Sequence, residues 1–572
     1  MKKIYHLIFC CLITLLASCE KDTDATNFAP EVTTGSATDI YRKGATLAGT
    51  IQLTGASVAE EHGILFSEYQ SMGEYTKYPV SSDEMDYEVK VQNLQPGKTY
   101  YYCAYANSGY SIARGEINSF NTTESNAPVF GDIVIDSIGW GSFRVTTTII
   151  DDGGVTPIIS GFCWREGNSG IPTLIDNVVN VPNETGNILT ATISGLTPQT
   201  EYVIAAYSVN SKGMGFSQGT TVQTERGPGI YSMEDLIAFR DARNAGEDVS
   251  KWKTTDGVIN IFADIDMSPI ENWEPISQIL EEEVFEGNNH TIKGLKIDFV
   301  LPADDESVQI EHLGFIGSNN GTIRNLTMGE GRIDIELQRD YWGINVGGLV
   351  GHNYGTIYNC VNEVDVIEYL YDTKFRTLSV AGIAGRILKG TVENCINRGD
   401  IQGSFSINGI GGGYFNDDYI VRGCSNYGTI TFNNYETLDG VTASGIASCH
   451  SLVKIVDCIN YGTINGGQVS WGGGISGAVE GVLESCVNEG VVNGETGGWI
   501  GGITASLDEG GSIINCTHKG EVNTTASTTG GITAFINAST YTYKGNVNSG
   551  TVNGAAGTDE NAIGYITVKN NE

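Results

Sequence analysis

The chain has 572 residues, 75 of them Gly and only 12 Pro, and its 68 acidic against 32 basic side chains give a formal net charge of −36. That length predicts several domains, and a Gly-, Tyr- and Asn-rich, Lys-poor composition predicts an all-β extracellular protein with many turns rather than a helical enzyme. The charge argues against nucleic acid and other polyanions as partners, because long-range repulsion slows and weakens such encounters; neutral glycans, basic proteins and divalent cations stay open.

Lys2 and Lys3 precede an uncharged apolar stretch, Ile4 to Leu16, which is too short to span a bilayer comfortably. A basic start, an apolar run and small residues before a Cys predict a signal peptide over 1–18. Leu16-Ala17-Ser18-Cys19 resembles the lipobox of bacterial lipoproteins. The resemblance implies cleavage before Cys19, acylation of its thiol and new amino group, and a lipid anchor in the outer membrane. In an ordinary secretory signal Cys19 would be incidental. In the linker 19–29, Glu20, Lys21, Asp22 and Asp24 resemble the surface-export signal of some Gram-negative lipoproteins, which implies a chain facing the cell exterior. A solvated linker would be charged as well. Beyond it, no apolar run approaches the length of a transmembrane helix.

Two segments, 30–124 and 125–225, share a phrase. Leu94-Gln95-Pro96-Gly97 leads into Tyr100, Ala104 and Tyr105, and Leu196-Thr197-Pro198 leads into Tyr202, Ala206 and Tyr207 at the same offsets. Alternation places every second residue inward, and a Tyr near a strand start can tie its hydroxyl to the preceding corner. The phrase resembles the fibronectin type III fold, which implies two β-sandwiches acting as spacers, with Ala29-Pro30 and Ala127-Pro128 as matching starts.

A different repeat fills the rest. Gly-Gly-Ile/Leu, a gap, Gly-Thr-Ile, then Asn-Cys-Ile-Asn and Gly-x-Ile recur from about Gly314. Its cysteines, Cys360, Cys395, Cys424, Cys458, Cys486 and Cys516, stand 35, 29, 34, 28 and 30 residues apart. Leu326 takes the Cys place one repeat earlier and Asn546 one repeat later. Three short β runs per thirty residues suit one coil of a parallel β-helix, with about ten coils stacked in register. Ile and Val then fill the interior, Gly sits where positive φ or close backbone approach is needed, and Asn362, Asn397, Asn426, Asn460 and Asn488 form a ladder at a turn, tolerating a left-handed conformation. The phrase resembles the GLUG-type repeats of bacterial surface proteins, over 301–572. In 226–300, Ser232 and Asp235 are spaced as a capping box, and Leu236, Ile237, Phe239 and Arg240 continue an amphipathic helix to about Arg243. Such a helix would cover the open end of the solenoid. The looser copies at Gly409–Gly413 and Ser444–Ala447 weaken the register between 405 and 450.

The fold expectation is therefore all-β: two Ig/fibronectin III-like sandwiches, then a helix-capped parallel β-helix. Stacked cysteines fall within Cα range for disulfides, but parallel in-register Cβ vectors fit one poorly, and no Cys-x-x-Cys spacing exists for zinc, so they read as buried small hydrophobes. Asp264 and Asp266, Asp304-Asp305-Glu306 and Asp417-Asp418 offer oxygen ligands for calcium, but no repeat carries a calcium-solenoid phrase, and solvated charge is the reading preferred. No metal or cofactor is expected. Tyr341, Trp342, Tyr414 with Phe415, Trp471 and Trp499 all lie close to the Gly-Gly-Ile phrase of their repeats, so they are the candidate ligand-binding residues on one solenoid face; corner packing is the competing explanation. Carboxylates such as Asp334, Glu336, Asp365 and Asp400 cannot be paired from spacing, and no His-Glu-x-x-His occurs. The expected function is non-enzymatic binding of an extracellular glycan or surface protein. A β-helix lyase or hydrolase and a structural, fimbria-like adhesin are the alternatives, separated by whether a carboxylate pair or an aromatic row occupies an open cleft.

Overall fold

The computed structural model describes residues 30–567 except 56, 82, 183–185, 303–311, 339–342, 371–378, 414–416, 434–440 and 468–469. It divides into two compact units, Met1–Gly227 and Pro228–Glu572.

The first unit holds two sandwiches of the Ig/fibronectin III class. In the first, the strand Gly44–Gln52 pairs with Glu31–Thr34, Thr38–Tyr41 and Asp86–Val91, while Thr99–Asn107 pairs with Glu61–Ser67 and with Ile112–Arg114 and Asn118–Asn121. The second repeats the arrangement around Ser142–Asp151 and Glu201–Asn210. Alternating side chains such as Leu47, Ile64, Tyr102 and Ala104 close the first core, and Phe143, Phe162, Ile204 and Ala206 the second. The shared phrase is a tyrosine corner: the Tyr100 hydroxyl accepts from the Gln95 amide at 2.8 Å and that of Tyr202 from the Thr197 amide at 2.9 Å.

The second unit is a parallel β-solenoid of about nine turns with one helix. One of its sheets stacks ten parallel strands, from Val258–Asn260 to Thr542–Lys544, so at about 4.8 Å per step the stack runs for roughly 43 Å. The helix Met233–Ala245 starts where Ser232 accepts a hydrogen bond from the Asp235 amide and stops at Gly246, φ 71°. It buries Leu236, Phe239 and Ala242, with Phe239 against Trp252 and Phe285 of the first coils. Glu283 anchors this end. Burial works against its carboxylate, yet hydrogen bonds from Lys253 and Arg243 hold it below the usual carboxylate range. At the far end, Asn553 and Gly554, both at positive φ, turn Ala555–Ala556 back antiparallel onto Thr551–Val552, which covers the last edge of the longest sheet.

Each coil repeats the same inner fittings. Asn362, Asn397, Asn426 and Asn460 each donate to the next ladder amide at 2.8–2.9 Å and to the carbonyl two residues on. All are fully buried. The expected left-handed conformation lies elsewhere: positive φ falls on the residue before the Cys position, at Asn325, Asn359, Asn394, Asp457, Ser485 and Asn515. The ladder residues themselves are in strands. The thiols stack beneath, fully buried at Cys360, Cys395, Cys424, Cys458, Cys486 and Cys516, and burial pushes those of Cys360, Cys424 and Cys486 up. Leu326 is buried in the same column, and Asn546 accepts from the Cys516 amide. The looser copies stay stacked, with Ser406 opposite Thr442 and Gly411 bridged to Ala447, but the register shifts by one residue at Gly411 and Gly412, which pair with Ala384 and Arg386.

Candidate functional site: a concave aromatic row

The Gly-Gly-Ile phrase makes a concave bend because its two glycines meet different obstacles. At Gly474, Gly502 and Gly531 a Cβ would collide with the buried ladder residues Asn488, His518 and Asn548. At Gly473, Gly501 and Gly530 it would collide with the carbonyls of Ser476, Thr504 and Thr533, three residues on. The outer faces of the strands before and after the bend thus close on one another, leaving a furrow whose floor carries no side chains. An earlier coil shows the same approach, since Asn345 and His352, on either side of the bend, are hydrogen-bonded at 2.7 Å.

Aromatic rings line this furrow over four successive coils. Ile500 is fully buried and a Cβ on Gly472 would point into the core, so Trp471 and Trp499 turn outward from in-register positions. Their rings stack at 5.2 Å with 6° between planes. On the next coil the row crosses the bend: Trp499 meets Phe535 at 4.5 Å and 46°, and Phe535 stacks on Tyr565 at 5.6 Å and 9°. Buried Ala534 and Ile536 flank Phe535, and Tyr565 is 58 % exposed at the end of the row. Parallel rings 5.2 Å apart that touch at about 3.5–4 Å are slipped sideways by roughly 3–4 Å. The surface is stepped, one step per coil.

Beside the row runs a polar column. Val479 pairs with Leu507, so Glu480 stands next to Asp508, which pairs with Asn537. Burial pushes both carboxyls up; in Asp508 the neighbouring Glu480 adds to this while a hydrogen bond from Ser506 at 2.9 Å opposes it.

Of the sequence candidates, the structure brings together Trp471 and Trp499. Tyr341, Trp342, Tyr414 and Phe415 lie outside the described residues. Sequence reasoning missed Phe535, Tyr565, Glu480 and Asp508; the signal was the outward position two residues past Gly-Gly-Ile-Thr, where Phe535 stands. Five of the other carboxylates have protein partners: Asp264 accepts from the Thr291 amide, Asp334 from Arg332, Asp417 pairs with Arg386, and Asp365 and Asp400 accept the backbone amides of Asp400 and Thr429. Asp304, Asp305 and Glu306 lie outside the described residues. Among the described residues no group of three or more His, Cys, Asp or Glu is placed to hold a metal ion. A second exposed pair, Tyr427 on Tyr461 at 4.7 Å with Arg398 near Tyr427, follows the Asn ladder on another face.

No family model matches the chain, and no curated protein matches it in sequence. Among solved structures it is similar to the FN1–FN3 domains of chicken CNTN1, at 16% identity over 35% of this chain and 68% of that one, TM-score 0.16. It is also similar to a two-domain fibronectin type III segment of chicken tenascin, at 15% identity over 34% of this chain and 99% of that one, TM-score 0.20. A third, described as a myokine, shares 16% identity over 18% of this chain and 100% of that one, TM-score 0.15. The sandwich assignment rests on the strand pairing described above.

Proposed function

We propose that this is a surface lipoprotein, anchored in the outer membrane through Cys19, that binds an extracellular glycan in the solenoid furrow without chemical turnover, its sandwiches serving as spacers. The observation that carries the reading is the row Trp471–Trp499–Phe535–Tyr565, four aromatic side chains on consecutive coils of an open furrow. Exposed aromatic surface beside hydrogen-bond acceptors suits sugar rings, which are apolar on their C–H faces and polar at their rims. The lipobox-like Leu16–Cys19 and the likeness to GLUG-type repeats support the surface placement. A glycan and mucin array probed with the chain from Lys21 onward tests the binding: saturable signal that falls on Trp471→Ala or Trp499→Ala supports it. Absence of any glycan signal from a folded chain refutes it and favours a protein-binding adhesin. Fatty-acid labelling of the expressed chain, lost in Cys19→Ser, tests the anchor.

Glu480 and Asp508 favour one second reading, hydrolysis. In-register positions of adjacent strands lie about 4.8 Å apart, close to the roughly 5–5.5 Å that retaining glycosidases use between their carboxyls. Release of reducing ends from a bound polysaccharide, abolished by Glu480→Gln or Asp508→Asn, would establish it.

A further inference from the structure

Resting on the binding reading above, we propose that the ligand is an uncharged, equatorially linked pyranose chain lying along the solenoid axis, with one sugar per coil. The row sets the repeat. Its centroids are 5.2, 4.5 and 5.6 Å apart on successive coils, and the in-register pairs Trp471–Trp499 and Phe535–Tyr565 follow the parallel-strand step of about 4.8 Å. An equatorially linked pyranose chain is nearly straight and advances by about one such step per sugar. An axially linked chain winds away and brings only a sugar or two against the rings. The slip between Trp471 and Trp499 leaves part of each ring open, so each coil offers one apolar ledge to one C–H face.

A polar column on the same sheet as Phe535 and Tyr565 keeps this repeat. Asp508 and Asn537 are in register on adjacent coils, and Glu480 follows Val479, the partner of Leu507, giving hydroxyl-binding oxygens at the strand interval. Two carboxyls in line, on a chain of net charge −36, repel uronates and sulfated sugars and leave uncharged ones favoured.

Calorimetric titration of the chain from Lys21 onward, which keeps every described residue, tests this with β-1,4-linked glucose oligomers of two to six units. The comparison ligands are α-1,4-linked oligomers of the same lengths and β-linked oligomers oxidised to carboxylates at C6. Affinity should rise about threefold or more per added sugar, flatten after the fourth, and be at least tenfold weaker for the α-linked and oxidised series. Tyr565→Ala, an exposed change at the end of the row, should move the plateau from four sugars to three. Equal affinity for α- and β-linked oligomers, or no gain beyond two sugars, overturns the inference while array binding through Trp499 leaves the binding reading standing. Loss of array binding as well overturns both.

Discussion

Asn426→Ala removes one rung of the buried amide ladder. Its Nδ2 donates to the Gly428 carbonyl at 3.0 Å and to Asn460 Oδ1 at 2.9 Å, and its Oδ1 accepts from Asn397 at 2.8 Å. The substitution therefore strands a carbonyl, an amide oxygen and one N–H in a site fully closed to water. At about 1–3 kcal/mol for each stranded group, moderated by relaxation, the loss is roughly 3–6 kcal/mol, a factor of about 10² to 10⁴ in the local opening constant. Stacked repeats open piecewise and a single global unfolding energy is ill-defined for them, so the assay is hydrogen exchange. The amides of Tyr427 and Tyr461, bonded to the Asn397 and Asn426 carbonyls, should exchange faster by that factor. Tyr427→Ala, on the next residue and half exposed, should cost less than about 1 kcal/mol. A change at Asn426 below about 1 kcal/mol, or one no larger than that at Tyr427, would refute the reasoning.

The two glycines of the bend should each resist a methyl group, for different reasons: Gly474→Ala strikes Asn488 inside and Gly473→Ala the Ser476 carbonyl outside, each costing about 1–3 kcal/mol by hydrogen exchange of the amides of that coil. His352, buried and facing His312 and Arg386, is pushed down to about 3. The neutral ring's stability is thus fully present above the unfolded value of about 6.5 and is lost as pH falls toward 3, by up to about 4 kcal/mol; His352→Gln should flatten that part of the stability profile. The nine described cysteines are free and buried, and Cys449 is pushed up to about 12, so alkylation of the native chain should be slow and become complete only on denaturation.

Much of this architecture is legible in the sequence because a solenoid writes its coil as a period. The Cys and Asn columns, the capping helix and both tyrosine corners follow from spacing alone. Spacing does not reveal the angle between consecutive strands, and that angle makes the site. Trp471 and Trp499 share a column and are visible as a pair. Phe535 sits in the next strand, across the bend, and reaches Trp499 only because the outer faces close there. Glu480 and Asp508 escape notice for the same reason: each follows the fully buried Val479 or Leu507 in its own coil, and only stacking makes them neighbours. The motif carries Asn at two places, so the sequence points to the ladder Asn for the left-handed position, and only backbone geometry separates the turn residue Asn359 from the ladder residue Asn362.

Hydroxyl-radical footprinting of the chain, with and without saturating neutral polysaccharide, tests the central claim residue by residue. Concerted protection of Trp471, Trp499, Phe535 and Tyr565, with Tyr427 and Tyr461 unchanged, is the predicted result. Protection centred on Tyr427 and Tyr461, or on the sandwich strands, would contradict the furrow as the binding site.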